Sequence, residues 1–267
     1  MDRVMFRIGS FNIYWYSALI LIAFFVGSLI AISYTKKTKV SITFITDLIF
    51  WLIPVSIIGA RLYYVIFNFD LYRDDIISIF KIWEGGLAIY GGIIASLIFI
   101  YFRCKQKEQV FIDVLDILAP SLILGQAIGR WGNFFNGEAY GPVTTLDSLH
   151  NLHIPQFIIE GMNIGGAYHQ PLFFYESIGC LIGFIILLII RSKLPKKGTQ
   201  TYFYLLWYGM VRVIIEFFRT DSLYIFNLKV SMIVSILLII IGLLGILKNK
   251  GKFAKTSNEV VNESGRI

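Results

Sequence analysis

The residues best suited to chemistry form one run near the middle of the chain: Gly129-Arg130-Trp131-Gly132-Asn133-Phe134-Phe135-Asn136-Gly137-Glu138-Ala139-Tyr140-Gly141. Arg130 carries a planar guanidinium that suits a phosphate group, and glycines let backbone N–H groups approach an anion closely. A glycine-rich turn with one arginine extending to a membrane surface is the alternative. That alternative leaves Asn133, Asn136 and Glu138 unexplained, so the run indicates an anion site.

A second group of polar residues lies within an apolar stretch nearer the C-terminus. Tyr208, Arg212 and Glu216 are spaced i, i+4, i+8, which places all three on one face of a helix. An arginine in the middle of a membrane costs at least ~2.5–3.5 kcal/mol, so its presence indicates a function. The alternative is an Arg212–Glu216 ion pair that only neutralises itself, although arginine before glutamate is the weaker helical order.

Further polar residues interrupt apolar stretches, and several can converge on one buried cavity: Tyr16, Arg61, Asp113, Asp116, Tyr175 and Glu176. For the two tyrosines an interfacial aromatic belt explains the sequence equally well. The two aspartates lie near a helix end, where we expect solvation. The run Gly85-Gly86-Leu87-Ala88-Ile89-Tyr90-Gly91-Gly92 is most simply explained by close packing of helices.

The elements that must position these residues are membrane helices. The 267 residues are 57% hydrophobic and 15% charged, with a mean hydropathy of +0.71, whereas soluble domains average about 25% charged residues. About 20 apolar residues cross a bilayer. Seven stretches satisfy this length: 13–32, 43–67, 85–102, 110–128, 171–190, 201–218 and 228–247. The sequence therefore predicts an all-α polytopic membrane protein, with one domain over 1–250 and a polar, disordered tail over 251–267.

Lysines and arginines cluster in alternate connections between the apolar stretches, as positive-inside topology requires. The basic segments begin at Lys36, Arg103, Arg191 and Lys248. They predict a cytoplasmic C-terminus, an outer N-terminus and a small outer cap over about 131–170. The formal charge of +7 is accounted for by this placement, so no nucleic-acid partner is expected.

The run 129–138 closely resembles the signature of the prolipoprotein diacylglyceryl transferase family. The similarity extends over nearly the whole chain except the C-terminal tail. Matching residues occur in the expected order and spacing: Trp15-Tyr16, Gly59-Ala60-Arg61, Gly85-Gly86, Gly91-Gly92, Pro171, Tyr175-Glu176, Tyr208, Arg212 and Glu216-Phe217-Phe218-Arg219.

The resemblance implies transfer of the diacylglyceryl group of phosphatidylglycerol to the lipobox cysteine of a preprolipoprotein signal peptide. The products are a thioether and glycerol phosphate. The implied location is the outer face of the bacterial cytoplasmic membrane, among membrane lipids, without a metal or other cofactor. His150 and His153 are spaced i, i+3, but no further ligand in the sequence completes a metal site.

This chemistry requires a deprotonated thiol, stabilisation of the departing phosphate, and burial of two acyl chains beside a peptide. By resemblance, Arg130 and Arg212 meet the phosphate charge, and Asn133 and Glu138 orient the glycerol and phosphate oxygens. The remaining substrate-binding residues that we expect are Tyr16, Arg61, Asn136, Gly141, Tyr208 and Glu216.

The chain departs from the family pattern at two positions. Tyr90 stands where many members carry a histidine before the Gly-Gly pair, and an ordinary phenol is a poor base for a thiol proton. Gln170 precedes Pro171 where a histidine is common, with His169 one place earlier. Both differences leave the identity of the general base open.

Two other functions remain compatible with buried arginines and glutamates. One is a different lipid-using enzyme of the same fold, with an altered lipid preference. The other is a seven-helix transporter or lipid-binding scaffold, for which the charged groups would line a pathway. A transporter of this kind predicts paired halves with broken helices, and the sequence contains no such duplication.

Overall fold

The computed structural model describes residues 3–9, 11–193, 196–220, 222, 224–225 and 228–264. Within these residues most of the chain is helical. The helices are α1 (Trp15–Thr35), α2 (Ile42–Phe67), α3 (Ile89–Gln106), α4 (Phe111–Asn136), α5 (Leu146–Asn151), α6 (Gln156–Gly161), α7 (Leu172–Ser192), α8 (Thr199–Phe218) and α9 (Val230–Ser264).

Five of these helices are long and apolar enough to cross a membrane, over Trp15–Thr35, Ile42–Phe67, Phe111–Asn136, Leu172–Ser192 and Val230–Asn249. The prediction of an all-α polytopic membrane protein is therefore confirmed. Seven spans and their orientation stay predictions. The disorder of the tail over 251–267 also stays a prediction. In the structure α9 extends to Ser264, and residues 265–267 lie outside the described residues.

The chain forms two compact units. The smaller unit covers Ile32–Val114, and the larger unit covers Met1–Ala31 and Leu115–Ile267. In the smaller unit α2 packs closely on α3, because a Cβ atom at Gly59 would overlap Ala95 and one at Gly91 would overlap Tyr63. The packing interpretation of the Gly91-Gly92 pair is thus confirmed. Three 3-10 helices, 69–72, 76–80 and 82–84, connect α2 to α3.

In the larger unit α4 continues eight residues beyond its predicted end, through Gly129 to Asn136. The expectation that backbone N–H groups at Gly129 and Gly132 approach an anion is therefore wrong, since helical N–H groups are bonded within the helix, and the alternative of a turn at these two glycines is wrong as well. The helix ends at Asn136, and Gly137 follows it with a φ of +66°. The Glu138 N–H donates to the Asn133 carbonyl at 3.0 Å and the Gly137 N–H to the Phe134 carbonyl at 3.1 Å, which is a Schellman cap.

A small domain-like segment follows α4. Strands β3 (Val143–Thr144), β4 (Asn163–Ile164) and β5 (Ala167–His169) form an antiparallel sheet of order β3-β5-β4, accompanied by α5 and α6. Its apolar residues pack with both flanking helices in one buried cluster: Phe134, Leu149, Ile154, Ile158, Ile159, Met162 and Phe173. The first six residues of the predicted cap, 131–136, belong to α4 instead.

Two short hairpins flank the helices of the larger unit. Strands β1 (Val4–Ile8) and β2 (Phe11–Tyr14) pair antiparallel before α1, so this helix begins at Trp15 rather than at residue 13. Strands β6 (Tyr224–Ile225) and β7 (Leu228–Lys229) pair antiparallel before α9.

Asp116 does not lie at a solvated helix end as expected. It is buried, with 9% of its surface exposed. Its carboxylate accepts hydrogen bonds from the Gly198 N–H at 2.6 Å, the Thr201 N–H at 2.8 Å and the Thr201 hydroxyl at 2.6 Å. Because the first N–H groups of a helix lack partners within the helix, Asp116 caps α8 and ties it to α4.

Candidate active site

Three helices of the larger unit bring four charged side chains together in the protein interior. Glu176 on α7 places Oε1 at 2.9 Å from Nη2 of Arg130 on α4, and Oε2 at 3.3 Å from Nη1 of Arg212 on α8. Arg212 also contacts Glu216 on its own helix, at 2.6 Å between Nη2 and Oε2. The glutamate side chains are 3% and 1% exposed. We call these four residues the charge cluster.

The cluster explains Arg212 better than a self-neutralising pair does. Arg212 contacts carboxylates on two different helices, and its Nη2 lies 3.4 Å from the Ser231 hydroxyl at the start of α9. Lys229 extends the contacts by donating to the main-chain carbonyls of Glu216 and Arg219, at 2.6 and 2.9 Å. A cation at those carbonyls is favourable because they carry the negative end of the α8 dipole. Arg212 therefore joins three helices.

Glu176 is the residue that sequence reasoning left out of the site. The sequence showed it as a carboxylate within an apolar stretch, without a partner at helical spacing. A charge-balance argument could have selected it, because buried charges require partners and two arginines exceed the single charge of Glu216. In the structure the cluster has two cations and two anions.

Arg130 keeps an unused donor. Its Nε is buried and finds no hydrogen-bond acceptor among the described residues. Its Nη1 lies 3.5 Å from Asn133 Oδ1, which is the outer limit for a hydrogen bond. Tyr208 is a hydrogen-bonding neighbour of the same guanidinium, and its ring stacks on Tyr204 at 6.0 Å between centroids. The guanidinium can therefore donate to one more oxygen, which fits a bound oxyanion.

The polar residues of the central run form a second, contiguous network. The amide groups of Asn133 and Asn136 both donate to Glu138 Oε1, at 3.0 and 3.1 Å. The Schellman cap at Gly137 makes this possible, because it turns the chain back over the end of α4. Asn133 and Glu138 are the two residues predicted to orient the glycerol. The amide side chain of Asn133 links Glu138 to Arg130.

An open cavity of about 370 Å³ adjoins this network, lined by Arg3, Tyr14, Tyr16, Ser17, Asn136, Gly137 and Glu138. Hydroxyl, amide, carboxylate and guanidinium groups all border it, which suits a polar headgroup with hydroxyls and one negative charge. Tyr16 packs against Gly132 so closely that a Cβ atom there would lie 2.5 Å from the ring. Gly132 therefore leaves the space on α4 that the Tyr16 ring occupies.

Gly141 makes contacts within the cap. Its N–H donates to the Gln170 carbonyl at 2.9 Å, and its carbonyl lies 2.9 Å from His169 Nδ1. Gln170 in turn accepts from the Tyr175 hydroxyl at 2.8 Å. These contacts give Gly141 a structural task, and its role in substrate binding stays a prediction. Among the described residues no group of His, Cys, Asp or Glu is arranged to hold a metal.

Arg61 and Tyr90 lie in the smaller unit. Arg61 is buried and donates to backbone carbonyls of the segment that connects α2 to α3, including those of Ser78, Ile79 and Gly85 at 2.7–2.8 Å. Its donors are therefore occupied by the protein, and its expected contact with substrate stays a prediction. Tyr90 is the second residue of α3 and half-buried.

One charged pair stabilises the exposed side of the same segment. The Lys81 Nζ donates to Asp75 Oδ2 at 3.2 Å. This hydrogen bond lowers the pKa of Asp75 below its ordinary value, with smaller contributions from the N–H groups of the turn. Asp75 therefore stays ionised and keeps capping the 3-10 helix at Ile77.

Comparison with known proteins assigns the family. A sequence model of the prolipoprotein diacylglyceryl transferase family matches residues 3–248. A phosphatidylglycerol–prolipoprotein diacylglyceryl transferase of Listeria monocytogenes serotype 4b is 45% identical over 243 residues, covering 91% of this chain and 88% of that protein. Proteins of the same name from Halalkalibacterium halodurans and Pediococcus pentosaceus are 44% and 42% identical, covering 91% and 92% of this chain and 85% and 89% of their own.

Proposed function

This chain belongs to the prolipoprotein diacylglyceryl transferase family, and we propose that it transfers the diacylglyceryl group of phosphatidylglycerol to a prolipoprotein. The acceptor in this proposal is the thiol of the lipobox cysteine in the signal peptide. The products are a thioether-linked lipoprotein precursor and glycerol phosphate. The enzyme acts within the membrane, as its apolar helices require.

The observation that carries the proposal is the buried pair of arginines around Glu176. Arg130 and Arg212 come from different helices, yet each contacts one oxygen of the same carboxylate. Two guanidiniums around one oxyanion is the arrangement that a phosphodiester requires, and a carboxylate is the protein's own substitute for it. The spare Nε of Arg130 adds a further donor.

The chemistry follows from where charge moves. The cysteine sulfur forms a bond to the glycerol carbon of the diacylglyceryl group, and the bond from that carbon to the phosphate oxygen breaks. The electron pair stays on the phosphate, which gains negative charge as it leaves. Fixed guanidinium groups in a water-poor interior stabilise that charge, and removal of one such donor costs about 10²-fold or more in rate.

The thiol proton needs an acceptor, and the leaving group supplies one. The phosphodiester of the lipid carries a single charge, whereas the departing phosphate monoester has a second ionisation with a pKa of about 6. It can therefore take up the proton as it leaves. This assignment requires no protein base at the position of Tyr90.

The cavity beside Glu138 supports the placement of the lipid headgroup. Its hydroxyl-rich lining, with Tyr16 and Ser17 opposite Asn136 and Glu138, can hydrogen-bond the two free hydroxyls of a glycerol headgroup. Asn133 connects this cavity to Arg130. The phosphate would then lie at the guanidiniums of Arg130 and Arg212 in the charge cluster, with its glycerol headgroup in the cavity.

The proposed topology has seven spans, with α3 and α8 added to the five most apolar helices. Arg212 and Glu216 lower the hydropathy of α8, yet they are paired and buried, so they do not prevent the helix from spanning. Alternation of basic and cation-poor connections supports an outer N-terminus and a cytoplasmic C-terminus. The central run, the cap and the charge cluster would then face the outer side.

A direct transfer assay tests the proposal. Purified protein is incubated with phosphatidylglycerol and a synthetic lipobox peptide, and mass spectrometry measures the diacylglyceryl adduct and released glycerol phosphate. A peptide with serine in place of the cysteine is the control. An adduct on the cysteine peptide alone is expected, and binding of phosphatidylglycerol without any adduct would indicate a lipid-binding protein instead.

Arginine variants test the role of the cluster in the same assay. Arg130→Lys and Arg212→Lys keep the charge but lose the two-pronged donor set, so we expect each to retain little activity. The double variant Arg212→Leu/Glu216→Gln removes the pair on α8 together. Near-normal transfer by this variant would show that Arg212 only neutralises Glu216.

A further inference from the structure

Glu176 differs from the other carboxylate of the charge cluster in what it contacts. Among the described residues Glu216 contacts one arginine, on its own helix, at the i, i+4 spacing. Glu176 comes from a third helix and, among the described residues, is the carboxylate that contacts both arginines. It therefore occupies the place between the two guanidiniums that the proposed function assigns to phosphate.

The bridge is also imperfectly bonded. The Oε1 atom of Glu176 lies 2.9 Å from Arg130 Nη2, yet it is buried and meets no donor with hydrogen-bond geometry among the described residues. The contact to Arg212 is long, at 3.3 Å. Arg130 keeps its Nε unused. Among the described residues Oε2 of Glu216 likewise meets no donor with hydrogen-bond geometry, so Glu176 is distinguished by its position between two arginines and by its long second contact, which a better-shaped oxyanion can replace.

We propose that Glu176 is a resident counter-ion, which holds Arg130 and Arg212 in place before the lipid arrives and is exchanged for the lipid phosphate on binding. Without it, two buried guanidiniums would share the single carboxylate of Glu216, and Arg130 would lose the carboxylate that balances its buried charge. After the exchange each arginine keeps its orientation but changes its partner. On product release Glu176 returns and expels glycerol phosphate.

Glu176 thus acts as a positioning residue with a measurable signature. It competes with phosphate, so its removal should strengthen phosphate binding while it disorders the two arginines and slows the chemical step. If Glu176 were needed only for stability, its removal would have the opposite effect: a weaker lipid affinity together with a lower melting temperature. The inference rests on the proposed transfer reaction and concerns how the phosphate site is kept ready.

The test compares Glu176→Gln with Glu216→Gln, two variants that remove the same charge from the same cluster. Steady-state transfer to a lipobox peptide gives KM for phosphatidylglycerol and kcat, and added glycerol phosphate gives a product inhibition constant. For Glu176→Gln we expect KM and the inhibition constant to fall about five-fold and kcat to fall about ten-fold. For Glu216→Gln we expect no tightening of either constant.

Three results would overturn the inference: unchanged or higher constants in folded Glu176→Gln, equal tightening in both variants, or loss of stability as the sole effect. Should Glu176→Gln fail to fold, Glu176→Asp decides, because the shorter carboxylate cannot reach both arginines and should tighten binding in the same direction. Absence of transfer by the unaltered protein would contradict the proposed function instead, so the two failures are distinguishable.

Discussion

Replacing Gly132 by alanine tests how closely the active-site region is packed. Gly132 lies on α4 against Tyr16 on α1, and a Cβ atom at this position would lie 2.5 Å from Tyr16 Cδ2 and 3.0 Å from Cε2. Non-bonded carbons prefer a separation of about 3.5–4.0 Å, so the ring or the helix must move by about 1 Å. Gly129, one helical turn earlier, is the matched control, because there the nearest atom to an added Cβ is Ile20 Cδ1 at 3.7 Å.

The magnitude follows from comparing the two variants. Alanine is favoured over glycine within a helix by about 1 kcal/mol, and this gain is common to both substitutions. Overpacking costs about 1–3 kcal/mol and affects Gly132→Ala alone. Gly132→Ala should therefore be less stable than Gly129→Ala by about 1–3 kcal/mol. A displacement of about 1 Å at a substrate-positioning group can reduce the rate about 10²-fold, so we expect Gly132→Ala to lose most activity and Gly129→Ala to keep it.

The assays are thermal unfolding in detergent and transfer to a lipobox peptide, both at matched protein amounts. The double variant Gly132→Ala/Tyr16→Ala removes the overlapping ring, so stability should recover while activity stays low. Equal stability and activity of Gly132→Ala and Gly129→Ala would refute the packing argument. Recovery of activity in the double variant would show that Tyr16 has no part in the reaction.

The other predictions concern separate parts of the chain. Asp116→Asn should lower the free energy of unfolding by about 1–3 kcal/mol, measured by thermal unfolding, because the buried cap of α8 is weakened; Thr201→Val, which removes the hydrogen bond from the Thr201 hydroxyl and leaves those from the Gly198 and Thr201 N–H groups, should cost less. Tyr90→Phe should retain substantial transfer activity, and a loss as large as that of Arg130→Ala at normal expression would mean that the phenol takes part in proton transfer. Asn151→Cys should react with a membrane-impermeant thiol reagent in intact cells, with little background because the two native cysteines are buried. Labelling from the cytoplasmic side alone would contradict the proposed orientation of the chain in the membrane.

The parts of the site that the sequence predicted are those built from residues close along the chain. Arg212 and Glu216 were expected on one helical face, and they form an ion pair there because residues four apart are neighbours on any helix. Asn133, Asn136 and Glu138 were singled out because a plain turn leaves them unexplained, and a local Schellman cap brings them within hydrogen-bond distance. The membrane character follows from composition alone.

The sequence pattern predicted that α4 ends at residue 128, whereas it ends at Asn136. Glycines favour turns in soluble proteins, but in membrane helices they also occur where two helices approach closely. Gly132 belongs to that second class, and only the position of α1 reveals it. Asp116 was misjudged for a related reason, since the helix end that it caps begins more than 80 residues later in the chain.

What the sequence by itself determined is therefore the helical membrane character of the chain, the shared face of Tyr208, Arg212 and Glu216, and the family. The tertiary structure decided which of the buried charges meet. Glu176 lies 36 residues from Arg212, and no periodicity links the two positions. Their contact depends on how α7 packs against α4 and α8, and that packing is set by many small apolar contacts along the helices, none of which specifies the pairing alone.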